Sequence, residues 1–265
     1  MGCRLSEAVW RFAYASAVGT SHAENAAPCQ DASHCALFEM ATGERVLLAV
    51  AADGAGSATY AAQGAQIACA QLIECAQLAL RDGITLADID HAIVRDWVEQ
   101  IRQRIGRQAE RVDTDGRAFA CTLLLALVGA EHAVFAQVGD GAMVIATGDA
   151  PSQYEWVFWP ERGDYANMTR FITDGDYADH LQFVRKDNAV LEVALFTDGL
   201  QHLALQYEPP MAFAPFFAGL FPPVRRIAPE QGPTLSKALA AFLNSPKVNA
   251  RTDDDKTLIL ATRLN

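Results

Sequence analysis

The chain has 265 residues, 51% of them hydrophobic, and a formal net charge of −11. That length allows a large core, and that charge excludes attraction to nucleic acid or an anionic membrane unless a local basic patch exists. No run of Lys or Arg supplies one.

No stretch reaches the ~18 apolar residues of a membrane span. The first residues, MGCRLSEAVWRFAYASAVG, lack a signal-peptide architecture, although they match the M-G-x-x-x-S lipid-acceptor pattern. The six cysteines (Cys3, Cys29, Cys35, Cys69, Cys75 and Cys121) form no C-x-x-C pair. They read as reduced thiols of a cytoplasmic protein rather than a zinc site or a disulfide scaffold.

In chain order, Arg45–Ala52 is a nearly continuous apolar run, which predicts a strand buried on both faces. Ala58–Leu80 has helical apolar spacing, with Gly56 or Ser57 placed to cap it and Gly83 to close it. Leu86–Arg111 predicts a second helix, because Ile89, Ile93, Trp97, Ile101 and Ile105 recur every four residues opposite a charged side. Phe119–Val128 and His132–Ala146 read as two strands joined by a hairpin at Gly129-Ala130-Glu131. Tyr154–Trp159 and Val190–Phe196 continue the β pattern. Glu161–Asp179 reads as a polar loop or flap. The Phe213, Phe216, Phe217, Phe221 cluster with Pro209, Pro210, Pro222 and Pro223 reads as core packing or a helical cap, with a partner-docking surface as the alternative. Pro233–Asn244 is a helix ended by Pro246, and Lys256–Thr262 is a last strand. No repeat or linker divides the chain, so one α+β domain is expected.

Acidic residues recur at the ends of these apolar runs. Asp53-Gly54 follows VLLAVAA, Asp140-Gly141 follows AVFAQVG, Asp198-Gly199 follows VLEVALFT, and Asp253-Asp254-Asp255 precedes KTLILAT. A single Asp-Gly is an ordinary turn. Neighbouring strands would instead gather these carboxylates at one sheet edge, where they need a counter-charge. A hard divalent cation such as Mg²⁺ or Mn²⁺ supplies it. Each glycine lets the backbone turn sharply and bring a carbonyl close. Other chemistries lack their signatures: no G-x-x-x-x-G-K-[ST], no G-x-S-x-G and no H-E-x-x-H occurs. The DTDG and DGDYAD stretches lack the remaining positions of a calcium loop.

The ordered set CQDA (Cys29–Ala32), AADGAGS (Ala51–Ser57), ACTLLLALV (Ala120–Val128), AQVGDGAMVI (Ala136–Ile145), LFTDGL (Leu195–Leu200) and DDKTLIL (Asp254–Leu260) resembles the metal-dependent protein phosphatases of type 2C. The resemblance runs from about residue 16 to 262 and is nearest to the bacterial branch; ERGDYANMTRFIT (Glu161–Thr173) of this chain also resembles the flap segment of that branch. It implies a four-layer α-β-β-α sandwich, two antiparallel sheets packed centrally with helices outside. It implies two Mg²⁺ or Mn²⁺ ions, with Asp53 bridging both, the Gly54 carbonyl on one, and Asp198 and Asp254 completing the other. By the same resemblance Asp31 holds metal-bound water and Asp140 serves a third, looser metal. The implied reaction is hydrolysis of phosphoserine or phosphothreonine in a protein substrate by a hydroxide that bridges the two metals.

Three departures from the family pattern stand near these motifs. Gln30 replaces the usual Glu, Ala26 stands where many members carry a phosphate-gripping Arg, and Ala55 stands where some carry a proton-donating His. His22, close in sequence to CQDA, is the candidate substitute donor. Thr122 reads as a buried residue with a structural hydrogen bond, and Asp254 rather than Asp253 or Asp255 aligns as the ligand. The expectation is a monomeric cytoplasmic enzyme that binds neither nucleic acid nor membrane. Two other readings stay open: an inactive phosphoprotein-binding module of the same fold, and a hydrolase of small phosphoesters.

Overall fold

The computed structural model describes residues 9–147, 153–160 and 169–264. The strands are β1 (Arg11–Ala17), β2 (Ala32–Glu39), β3 (Arg45–Ala52), β4 (Leu123–Val128), β5 (Ala133–Val138), β6 (Ala142–Ala146), β7 (Glu155–Trp156), β8 (Gln182–Lys186), β9 (Glu192–Phe196), β10 (Leu205–Tyr207), β11 (Pro210–Ala212) and β12 (Lys256–Thr262). The helices are α1 (Thr20–Glu24), α2 (Ala61–Arg81), α3 (His91–Arg111), α4 (Gln201–Ala204), α5 (Ala214–Arg226), α6 (Gly232–Leu243) and α7 (Pro246–Asn249).

Two five-stranded antiparallel sheets form the centre, ordered β1-β12-β9-β6-β7 and β2-β3-β4-β5-β8. The alternation of side chains along each strand divides the core into three layers. Leu47, Ala49, Ala51 and Phe135 of one sheet meet Met143, Val193, Leu195 and Ile259 of the other. The opposite faces pack outward, with Val46, Leu48 and Val50 against Leu72, Trp97 and Ile101 of α2 and α3. On the far side Ala194, Phe196 and Leu258 pack against Phe217, Phe221 and Leu239 of α5 and α6. The expected four-layer α-β-β-α sandwich is therefore the observed fold.

Several boundaries differ from the sequence reading for local reasons. His132–Ala146 is not one strand: it breaks at Gly139-Asp140-Gly141, and β5 and β6 enter different sheets. Gly139 has φ 106°, and a Cβ there would lie 2.5 Å from the Thr122 side chain, so only glycine makes this corner. The α2 helix begins three residues later than expected: Ala58 N closes a separate turn on Ala55 O, and Tyr60, the residue before the helix, has non-helical backbone at φ −117° and ψ 30°. Leu86 and Ile89 are buried but precede α3, whose start is set by Asp90 accepting from Ile93 N at 2.9 Å. Phe119 closes a short 3₁₀ turn ahead of β4. Pro246 opens α7 rather than simply ending α6. Of the aromatic cluster, Phe217 and Phe221 are core residues while Phe213 is 42% exposed.

Candidate active site

Antiparallel pairing explains how residues far apart in sequence meet. Where one strand ends, its neighbour begins. Ala52 at the end of β3 opposes Ala32 at the start of β2. Phe196 at the end of β9 opposes Leu258 near the start of β12 and Ala142 at the start of β6. Asp53, Asp31, Asp198, Asp254 and Asp140 each lie just beyond one of these ends, so all five fall at one end of the sandwich.

Asp53 sits at the middle of the group. Its carboxyl lies within hydrogen-bonding reach of both Asp31 and Asp198, and Asp254 and Asp140 are near enough to repel it. Burial, then these neighbouring charges, holds the Asp53 carboxyl well above the usual carboxylate range. Burial pushes Asp31 up to about 7 against hydrogen bonds from Thr257 and Thr197. Burial, with Asp140 and Asp254, pushes Asp198 up to about 7 as well. Asp254, although exposed as a residue, has its carboxyl raised by partial desolvation against the cluster and by the Asp255 charge.

The backbone under this cluster is tightly fixed. Thr122 N donates to Asp53 O at 2.8 Å, and Asp53 N donates to Thr122 Oγ1 at 3.0 Å. The expected structural role of Thr122 is thereby met. Gly54 N donates to Gln30 O at 3.2 Å, and Ala55 N donates to Ala120 O at 2.9 Å. A Cβ on Gly54 would lie 2.7 Å from the Ala61 backbone and 2.8 Å from Gln30 O. A Cβ on Gly199 would lie 2.0 Å from Asp255 O. Both glycines are demanded by close packing of main chain, not by a positive φ.

Asp31 Oδ2 accepts from Thr197 Oγ1 at 2.8 Å, and Thr197 Oγ1 in turn accepts from Thr257 N at 3.0 Å. Asp140 Oδ2 accepts from Thr169 Oγ1 at 2.7 Å, and its carbonyl accepts from Gln201 Nε2. Residues 161–168 of the flap stretch lie outside the described residues. Beyond them, Ile172 N donates to Cys121 O at 2.9 Å.

Sequence reasoning undervalued Asp255. It is buried, and it binds the two loops that frame the cluster: Gly19 N donates to Oδ1 at 2.6 Å and Gln30 N donates to Oδ2 at 2.5 Å. His22 Nδ1 approaches the same Oδ2 at 3.0 Å without hydrogen-bond directionality. Asp254 is exposed, and its Oδ1 accepts only from Asp255 N, at 2.8 Å. The acidic triplet thus contains one anchoring carboxylate and one that is available. Its own pattern could not say which was which, and Thr197 and Thr257 carry no signal in the sequence beyond standing beside acidic motifs. Ala55, at the family's histidine position, is buried. Ala26, at the arginine position, has φ 54° beyond the end of α1.

The donor set suits a hard cation. Around Asp53 stand the carboxylates of Asp31, Asp198, Asp254 and Asp140, hard oxygen donors of the kind such a cation takes. Asp31 Oδ1, Asp140 Oδ1 and Gln30 Oε1 are buried without a hydrogen-bond partner, which a cation or its waters would correct. Among the described residues no three carboxylate, imidazole or thiolate groups stand as a finished coordination shell. Mg²⁺-like ions bind through one or two carboxylates and retain water.

Comparison with known proteins gives the family and the fold. The family described as protein phosphatase 2C matches residues 18–244. Over 253 residues the chain is 37% identical to serine/threonine-protein phosphatase 3 of Escherichia coli (strain K12), covering 95% of this chain and 98% of that protein. PppA, described as a key regulatory component of T6SS in Pseudomonas aeruginosa, has TM-score 0.62 at 18% identity, covering 96% of this chain and 97% of that one. The catalytic domain of the serine threonine protein phosphatase PstP, solved in complex with two manganese ions, has TM-score 0.61 at 16% identity, covering 96% and 98%. These two share the fold. Fold and sequence relatives together define a phosphatase. The chain belongs to the protein phosphatase 2C family.

Proposed function

We propose that this chain is a Mg²⁺- or Mn²⁺-dependent serine/threonine protein phosphatase acting on phosphoserine and phosphothreonine in proteins, folded as one catalytic domain. The observation that carries the reading is the oxygen-only cluster around Asp53, with buried carboxylate oxygens left unpartnered. Near full-length similarity to a serine/threonine phosphatase supports it. The inactive-module reading is disfavoured because Asp53, Asp198 and Asp254 are all present.

In this reading Asp53, the Gly54 carbonyl, Asp198 and Asp254 hold two cations, Asp31 orders water beside them, and Asp140 serves a third, looser one. Bound there, the cations supply a nucleophile at neutral pH and neutralise charge on the phosphoryl oxygens. The chain's own residues do the positioning. Thr122 fixes the direction in which Asp53 leaves β3. Thr197 turns Asp31 toward the cluster. Asp255 holds the Gly19 and Gln30 loops against the start of β12. His22 is the side chain we assign to protonating the leaving oxygen, its Nδ1 set against Asp255. Neutral Gln30 replaces a carboxylate, which leaves less negative charge beside the incoming phosphate.

Five cysteines among the described residues are free thiols, and burial raises the pKa of each. That supports a reducing cytoplasmic setting. No helix among the described residues is long and apolar enough to cross a membrane, and we read the enzyme as a monomer acting on phosphoproteins.

The test is p-nitrophenyl phosphate hydrolysis with Mn²⁺, Mg²⁺ or EDTA. Turnover should require metal and fall by about 10²-fold or more in Asp198→Asn and in Asp254→Asn. Folded protein that shows no turnover and no metal binding by calorimetry would overturn the reading and restore the binding module.

A further inference from the structure

A group of arginines stands outside the cluster just described. A groove of about 710 Å³ runs between α2 and α3, lined by Gln63, Gln66, Ile67, Arg104, Arg107 and Arg111, among others. Residues 102–111 hold four arginines and one glutamate. No linear basic run reveals this, because the arginines are spread at helical spacing. Arg104, Arg107 and Arg111 stand at i, i+3 and i+7, which places them on one face of α3.

Two contacts set the register of the helices. Cys75 pairs with Gln100 and Gln71 with Arg104, so the helices run antiparallel. Continuing that register brings Arg111 beside Gln63, at the beginning of α2. Gln63 is two residues, or about 3 Å of helix rise, beyond Ala61, and Ala61 is the residue packed against Gly54. The groove therefore begins at the same end of α2 as the Asp53-Gly54 turn and leads away along the helix.

The arginines differ in how they are occupied. Arg104 donates to Gln71 Oε1 at 2.8 Å and lies 3.3 Å from Glu74 Oε2. Arg107 and Arg111 are exposed and make no hydrogen bond or ion pair among the described residues. Exposed guanidinium groups with amides between them are suited to carboxylates and phosphates, which they grip with two parallel N–H donors. The overall charge of −11 repels long polyanions such as nucleic acid or a lipid surface, but a short anionic segment lies within the local field of the groove.

We propose that the α2–α3 groove is a docking site for an acidic segment of the phosphoprotein substrate, gripped by Arg107 and Arg111. This rests on the phosphatase reading and names a specificity element for it. From Arg104 to Arg111 the helix rises about 10 Å, the length of about three extended residues. The preferred substrate carries two or three Asp or Glu residues a few positions from the phosphorylated residue, on the side that leads along α2.

The test uses synthetic phosphothreonine peptides that differ only in holding three Glu or three Gln at positions three to six from the phosphothreonine, on either side. With Mn²⁺, the wild-type enzyme should show about a 10-fold lower KM for one acidic peptide than for its neutral twin, with similar kcat. Raising the salt should shrink that ratio. The Arg107→Glu/Arg111→Glu double variant, and Arg107→Gln/Arg111→Gln as a milder check on folding, should bring the ratio to about one. Both should leave p-nitrophenyl phosphate turnover unchanged, since neither arginine belongs to the catalytic cluster. Equal KM values in the wild type, or a ratio that survives both double variants, overturns the proposal. Arginine-dependent binding of single-stranded DNA or anionic vesicles without any peptide preference overturns it too. Loss of metal-dependent p-nitrophenyl phosphate turnover in the wild type would instead strike the phosphatase reading.

Discussion

Asp31 offers a sharp test of the electrostatics, because burial and function pull against each other there. It is 7% exposed. Burial raises its carboxyl from 3.8 to about 7. A carboxyl raised by folding binds more protons in the native than in the unfolded state between those values. Native stability is therefore highest below 3.8 and declines as pH rises through about 7. A shift of this size corresponds to about 4 kcal/mol. Asp31→Asn removes the titration while keeping the oxygen that accepts from Thr197 Oγ1. Its amide N–H₂ would replace Oδ1, which has no partner, on a residue within hydrogen-bonding reach of the Asp53 carboxyl. In EDTA, urea unfolding should find the variant more stable than wild type by about 1–2 kcal/mol at pH 5 and about 4 kcal/mol at pH 8. Saturating Mg²⁺ should narrow the gap, because only the wild type has the full carboxylate set with which to bind it. A gap that does not grow with pH, or a variant less stable than wild type at pH 8 in EDTA, would refute the reasoning.

Two other substitutions probe the positioning of the site. Asp255→Asn leaves an N–H₂ group facing either Gly19 N or Gln30 N, whose present distances to the carboxylate are 2.6 and 2.5 Å. It should lower stability by about 1–3 kcal/mol and reduce kcat through the displaced Gln30–Asp31 loop, measured by thermal melts and metal-dependent turnover. His22→Ala, at a side chain 20% exposed, should lower stability less than Asp255→Asn. Gly54→Ala forces a Cβ to within 2.7 Å of the Ala61 backbone. We expect a loss of about 1–3 kcal/mol and a larger loss of metal affinity by calorimetry, because the Asp53 turn must shift as a unit.

Much of this molecule is written in local patterns. The apolar run Arg45–Ala52 and the terminal Lys256–Thr262 are strands with the expected bounds, because strands buried on both faces leave a continuous hydrophobic signature. The long helices followed from their spacing. So did the placement of carboxylates at strand ends, since Asp-Gly marks where an apolar run must stop. Strands β1, β2, β8, β10 and β11 were not among the expected strands. In β2 partly exposed residues such as Ser33 and His34 carry no clean period, and in β1 the alternate buried positions are alanines, whose apolar signal is weak. Only the tertiary structure decided which strand ends are neighbours, and pairing across long separations made that choice. The split at Gly139, which sends β5 and β6 to different sheets, needed the Thr122 contact to be intelligible. The division of labour between Asp254 and Asp255 was likewise tertiary. Two adjacent residues leave the backbone in different directions, so one carboxylate is buried under the N–H groups of Gly19 and Gln30 while the other faces the cluster. The same holds for the arginine face of α3, whose neighbours on α2 exist only once the helices pack. Sequence determined the elements and the kinds of donor available; long-range packing determined which of them meet.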